Sequence, residues 1–295
     1  MAAAENFVFF SPEMIQAHLR NYNEAEKASI EKDLTVVRSV CFSDAQSVEG
    51  RAPVYIATAG GPGARKSTIL ERFIDNHLEL EHAAYLDPDP RTLRFMVHTY
   101  YSQSLNNRVI AEAKNYDQVI IDAYYKWRGG SNYIALTLLE EAFRNRYDIA
   151  YGTTSTGSHM GQFLPQLKQA GYRIELLLCS CEDDLRNDAI EYRNKEVRFY
   201  QSSPEDALSK GKFFSQRMPL YFQFADKLYF YWSTDLAHEE ILAAVLDGSH
   251  FEVFDLEGYI KFVGKYEEDR ELHRSEGLDL PSFQELLTSR TGDSE

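Results

Sequence analysis

The spacing of apolar residues changes several times along the chain, and each change marks an element. From Ser11 to Val40 the spacing is helical (Met14, Ile15, Leu19, then Ile30, Leu34, Val37), with Ser11-Pro12-Glu13 as cap and first turn. Ser43 to Pro53 is polar and reads as a loop. Four apolar runs of strand length follow, at Val54 to Thr58, Ala83 to Leu86, Asp148 to Gly152 and Arg173 to Cys179, with a fifth at Lys227 to Tyr231. Helical patterns separate them, which predicts an α/β fold with a mostly parallel sheet covered on both faces. Ligands of such sheets gather at the carboxyl ends of the strands. Phe251 to Val263 reads as a hairpin or a further strand pair, and the charged stretch Tyr266 to Glu295 reads as peripheral. The expected organisation is an N-terminal helical segment over 1–50, a core over 51–248 and a C-terminal extension over 249–295.

The first strand runs into Gly60-Gly-Pro-Gly-Ala-Arg-Lys-Ser-Thr68 and then into an amphipathic helix carrying Ile69, Leu70, Phe73, Ile74 and Leu78. In a Gly-x-x-x-x-Gly-Lys-Ser/Thr loop, backbone N–H groups and the helix N-terminus cradle nucleotide phosphates. The lysine reaches the β/γ oxygens and the hydroxyl takes Mg²⁺. Gly60, Gly63, Lys66 and Ser67 fit this pattern, so the nucleotide contacts are expected from Gly60, Gly61, Gly63, Ala64, Arg65, Lys66, Ser67 and Thr68, with Ser67 on the metal. Arg65 stands where the second glycine belongs. Its side chain crowds the phosphates, adds a cation to them, or points away along the new helix. A tight turn without ligand is the plainer reading, and the strand before and helix after the loop weigh against it.

The second strand ends in Asp87-Pro-Asp-Pro-Arg91, which places two carboxylates and an arginine at a strand end. The prolines hold this loop extended. One reading is a helix cap, with Asp89 capping and Pro90 first in the helix. The other is phosphoryl transfer, in which a carboxylate accepts or orients the attacking hydroxyl.

With these two motifs in order, Val54 to Tyr231 resembles the zeta-toxin family of P-loop kinases, whose best-known members phosphorylate UDP-N-acetylglucosamine with ATP and Mg²⁺. Gly61-Pro62-Gly63-Ala64 reproduces the family's form of the loop, proline included. The resemblance implies a three-layer P-loop NTPase/kinase fold with a helical lid. It makes Asp89, the second aspartate of the strand-end Asp-x-Asp, the catalytic base. The family's strand ending near Glu-Gly-Thr corresponds to Tyr151-Gly152-Thr153-Thr154, and a Gly-Tyr-strand run follows at Gly171-Tyr172. Two lid arginines are implied, for which Arg193 and Arg198 are the candidates. A solvated helix face is the plainer account of either. Asp87, Arg91, Asn132, Thr153 and Thr154 are the expected substrate contacts, although Asn132 after Arg128-Gly-Gly-Ser131 also reads as the cap of a helix following a break.

Tyr151 departs from the pattern by standing in place of the family's strand-end glutamate, and no acid near Leu136 replaces the substrate-binding glutamate of the preceding helix. The acceptor is therefore open: a nucleotide sugar first, a nucleoside or dinucleotide second. Tyr100, Tyr101, Tyr124, Tyr125, Trp127 and Tyr133 could stack on a ring, or form an aromatic helical core.

Composition narrows the class. The 295 residues, 44% hydrophobic and 13% aromatic, suffice for a large core. A net charge of −15 argues against nonspecific binding to nucleic acid or an anionic membrane. Cys41, Cys179 and Cys181 lack metal spacing and read as small core residues, and the histidines are scattered. No basic leader or run of about 20 apolar residues is visible, so the chain reads as cytosolic, or as an effector delivered into a target cell, with an antitoxin or inhibitor protein as a partner. The rival class is a degenerate P-loop protein that binds a partner or senses nucleotide without catalysis. Arg65 and the missing acids motivate it.

Overall fold

In the computed structural model, which describes residues 8–197, 199–200 and 204–292, strands and helices alternate as the periodicity predicts. In chain order they are α1 (Pro12–Ala17), α2 (Glu24–Cys41), β1 (Val54–Ala59), α3 (Lys66–Asp75), β2 (Ala84–Leu86), α4 (Tyr100–Ser104), α5 (Asn107–Glu112) and α6 (Tyr116–Arg144). There follow β3 (Ile149–Tyr151), α7 (Met160–Gln169), β4 (Arg173–Ser180), α8 (Asp183–Tyr192), α9 (Pro204–Phe224), β5 (Lys227–Trp232), β6 (Ile241–Asp247), β7 (His250–Val253), α10 (Leu256–Ser275) and α11 (Phe283–Thr291). The protein is of the mixed α/β class, and its strands pair mostly in parallel. It divides into two compact units whose segments interleave along the chain.

The first unit comprises Met1–Pro53, Glu79–Gly152 and Tyr192–Gln201. β2 and β3 pair in parallel, Leu86 opposite Tyr151. The long helix α6 is the spine of this unit, with α1, α2 and α4 packed on it. The cap at Ser11 forms as expected, with its hydroxyl accepting from the N–H of Met14 and Pro12 opening the helix. The helix break expected at Arg128-Gly-Gly does not occur: α6 runs through it, and Asn132 lies inside the helix rather than capping it. Packing requires the two glycines here. A Cβ on Gly129 would fall 2.9 Å from the His18 carbonyl oxygen, and one on Gly130 would fall 3.0 Å from Ile30 Cδ1. The Gly130 N–H donates to the Tyr22 hydroxyl at 3.0 Å. Close approach of neighbours, rather than a turn, selects glycine at these positions.

The second unit comprises Val54–Leu78, Thr153–Glu191 and Ser202–Glu295. β1 pairs with β4 and β4 with β5, all parallel, while β6 and β7 add an antiparallel edge. β4 is buried from Ile174 to Ser180, as befits a strand covered on both faces. The hairpin expected from Phe251 to Val263 lies earlier, at Ile241 to Val253, and Leu256 opens a helix instead. The apolar spacing of Phe251, Ile260 and Phe262 suits either period, and the Asp255 cap, accepting from the Gly258 N–H at 2.7 Å, decides for helix. The stretch from Tyr266 onward is not peripheral: Tyr266, Phe283 and Leu286 are buried, and Phe283 meets Phe222, Phe230 and Phe262 in one aromatic cluster. Among the described residues no helix is long and apolar enough to cross a membrane.

Candidate functional site

In the second unit β1 delivers the chain into the glycine loop. Gly60 has φ 153° and Gly63 φ 85°, conformations that side chains rarely adopt. A Cβ on Gly60 would lie 2.3 Å from the Cys179 carbonyl oxygen, and one on Gly63 would lie 2.4 Å from that of Arg186. Both glycines are therefore fixed by backbone and by space. The hydroxyl of Thr58 donates to the Thr153 carbonyl at 2.6 Å and accepts from the Thr153 N–H at 3.0 Å. The Gly60 N–H donates to the Thr154 carbonyl at 3.1 Å, so Thr153 and Thr154 brace the loop through their backbones. Lys66, Ser67 and Thr68 form the first turn of α3, whose N-terminal N–H groups suit an anion. The Lys66 ammonium donates to the Gly61 carbonyl at 2.7 Å.

Arg65 takes the left-handed conformation, φ 56° and ψ 22°, that a glycine adopts without cost. Its guanidinium pairs with Glu240 at 2.8 Å and donates to the carbonyls of Asp235 and His238 at 2.7 and 2.8 Å. Of the three orientations open to it in sequence, this corresponds to the one along the helix, because Arg72 of α3 reaches the same carboxylate at 2.7 Å. Behind the loop, the buried Arg186 donates to the Pro62 carbonyl at 3.2 Å and pairs with Asp183 at 2.7 Å. Lys265 holds that aspartate from α10 at 3.0 Å.

In the first unit β2 ends at the acidic turn. Asp87, not Asp89, is the cap: its Oδ1 accepts from the Asp89 N–H at 2.8 Å, and Pro88 rather than Pro90 opens a single π-type turn, Pro88–Leu93. That frees Asp89 from capping. Its carboxylate pairs with Arg128 at 2.5 Å, and Arg128 also donates to the Pro88 carbonyl at 3.2 Å. Burial lowers the pKa of Arg193 from its ordinary value, and the neighbouring charge of Asp89 opposes that, so Arg193 belongs to the same cluster. Tyr151 ends β3 beside these acids; burial, then the charge of Asp87, raises its pKa, and it remains a neutral phenol.

Not every expected residue joins the cluster. Arg91 stacks on the ring of Tyr85 at 4.2 Å, and Arg198 lies outside the described residues. Tyr100, Tyr124, Trp127 and Tyr133 are core residues, while Tyr101 and Tyr125 are exposed. Arg128, Arg186 and Glu240 were not singled out by sequence. Arg128 was hidden by the apparent break, Arg186 by its charged helix, and Glu240 by having no local pattern at all.

The geometry is that of a P-loop phosphate-binding protein. The chain belongs to the zeta toxin family, whose model matches residues 38–202. As a member of that family it is a phosphotransferase of the kinase type. Three solved structures share the fold. The AvrRxo1-ORF1:AvrRxo1-ORF2 complex with sulphate ions is 14% identical, with a TM-score of 0.54, covering 96% of this chain and 94% of that one. The AvrRxo1-ORF1:-ORF2 complex with ATP is 13% identical at 0.54, with the same coverage. The PezAT chromosomal toxin–antitoxin system of Streptococcus pneumoniae is 13% identical at 0.52, covering 91% of this chain and 98% of that one. No curated protein sequence matches the chain.

Proposed function

We propose that the protein transfers the γ-phosphoryl group of ATP to a hydroxyl of a small metabolite, with a nucleotide sugar such as UDP-N-acetylglucosamine as the first acceptor to test. The observation carrying this reading is Asp89: released from capping by Asp87 and oriented by Arg128, it is the group a kinase needs as a proton acceptor. Residues 51–248 form the kinase core, flanked by the helical segment 1–50 and the extension 249–295. Lys66 stabilises the β/γ oxygens, with the N–H groups of Gly61, Gly63, Ala64, Arg65 and Thr68 around the phosphates and Gly60, whose N–H is taken by the Thr154 carbonyl, turning the chain into the loop. Arg65 contributes its backbone, since its guanidinium is held by Glu240.

Mg²⁺ fits the loop. Ser67 offers one hydroxyl oxygen in the first turn of α3, and this ion is commonly held by one or two protein oxygens plus substrate phosphates. When bound it neutralises charge on the phosphate oxygens. Asp89 takes the proton of the acceptor hydroxyl, Arg193 and Arg198 clamp the transferring group, and Asp87, Arg91, Asn132, Thr153 and Thr154 are the acceptor-side residues to test. The AvrRxo1 and PezAT structures are complexes or toxin–antitoxin systems, which supports an antitoxin protein as partner here.

The test is incubation with ATP, Mg²⁺ and UDP-N-acetylglucosamine, with nucleosides and dinucleotides in parallel, reading ADP release and product mass. A phosphorylated acceptor that disappears in Asp89→Asn supports the reading. ADP release without any acceptor product would point to ATP hydrolysis instead.

A further inference from the structure

We infer that Glu240 is a positioning residue for the phosphate loop: by holding Arg65 it keeps the loop in the left-handed backbone conformation that a glycine would adopt unaided. The inference rests on the loop being the ATP site. A residue with a Cβ is disfavoured in that conformation by roughly five- to thirty-fold. Arg65 nevertheless occupies it, at φ 56°, immediately before the lysine.

The compensation is visible around its side chain. Arg65 is 14% exposed and Glu240 2%, so their 2.8 Å pair is shielded from water. Arg72, two turns further along α3, holds the other carboxylate oxygen at 2.7 Å, which fixes Glu240 against the helix it positions. Two more bonds go to the carbonyls of Asp235 and His238. That turn is itself braced, since Asp235 Oδ1 accepts from the N–H groups of Ala237 and His238 at 2.8 Å each. A loop that relaxed out of the left-handed conformation would redirect the N–H groups that meet phosphate, and the apparent affinity would fall by the fraction of loops still competent.

The experiment is calorimetric titration of the full chain with a nonhydrolysable ATP analogue and Mg²⁺, with KM for ATP and kcat measured alongside. Arg65→Gly and Arg65→Ala both delete the guanidinium and differ only in Cβ. R65G is expected to bind as tightly as wild type or more so, and R65A roughly five- to thirty-fold more weakly, with KM raised and kcat retained. Glu240→Gln is expected to weaken binding in the wild-type background and to have no effect in R65G. Equal affinities for R65A and R65G would overturn the inference, as would an E240Q effect that persists in R65G. If neither wild type nor R65G binds the analogue while melting cooperatively, the ATP-site reading itself fails, and the inference falls with it.

Discussion

Asp89 Oδ1 lies 2.5 Å from Nη1 of Arg128, and the Asp89 N–H is tied to Asp87 Oδ1 at 2.8 Å, so a cation and a backbone turn together orient one carboxylate. The pairing fixes where the carboxylate points, which is what orienting an acceptor hydroxyl requires. Asp89→Asn keeps the size of the side chain and removes its basicity. We expect kcat to fall by about 10²- to 10⁴-fold, with affinity for the ATP analogue unchanged. ADP release in the presence of acceptor, set beside a calorimetric titration, checks both halves. A variant retaining wild-type turnover would remove Asp89 from the mechanism.

Lys66 makes the opposite prediction. Its ammonium rests on the Gly61 carbonyl at 2.7 Å and has to exchange that contact for phosphate oxygens. Lys66→Ala should therefore weaken nucleotide binding itself, by about 10- to 150-fold if one charged hydrogen bond is lost. Equal affinities for K66A and wild type would show that the lysine stays on Gly61 when nucleotide binds.

How far the sequence could be read follows from the range of the interactions. The five expected strands, the glycine loop and the strand-end acids were legible because each is a local pattern of apolar period, Gly and Pro. The continuity of α6 was not, because Gly129-Gly130 looks like punctuation until Tyr22 and Ile30 are seen packing against it. A cap at Asp89 is one of the two readings open in sequence, and the role belongs instead to Asp87, two residues earlier, since Pro88 and Pro90 satisfy the same first-position rule. Arg65 was legible as an anomaly. Its remedy was not, because Glu240 precedes β6, far along the chain, and only tertiary packing brings it to α3.

The cysteines give a prediction in alkali. Burial raises the Cys41 thiol to about 11 and the Cys181 thiol to about 12, and it raises Cys179 as well. The folded state thus favours the protonated thiols, and their contribution to stability is fully present below the unfolded value of about 8.5. As pH rises past that value the unfolded chain loses protons that the fold retains, so stability declines toward pH 11. Denaturant titrations at pH 7.5 and 9.5 should show a lower midpoint at the higher pH, less so in Cys41→Ala measured against its own pH 7.5 value. At pH 8 iodoacetamide should leave the native thiols unmodified and label all three in urea. Rapid native labelling would contradict the burial.

Gly152 tests the acidic turn without touching a proposed catalytic group. Its N–H donates to the Leu86 carbonyl at 2.8 Å, and a Cβ there would fall 2.2 Å from Asp87 Oδ2 and 2.7 Å from its Cγ. Asp87 is buried and its other oxygen holds the Asp89 N–H, so a displaced Asp87 cannot keep Asp89 in register. Gly152→Ala should cost about 1–3 kcal/mol of stability through overpacking and lower kcat as well. Gly171→Ala is the control: φ is 79° there and a Cβ would meet nothing within 4 Å, so backbone strain lowers stability by about 1–2 kcal/mol with no reason for turnover to change. Thermal melts and phosphotransfer rates on the pair separate the two effects. If G152A melts early yet turns over like wild type, the Asp87–Asp89 turn is structural and does not set the geometry of the base.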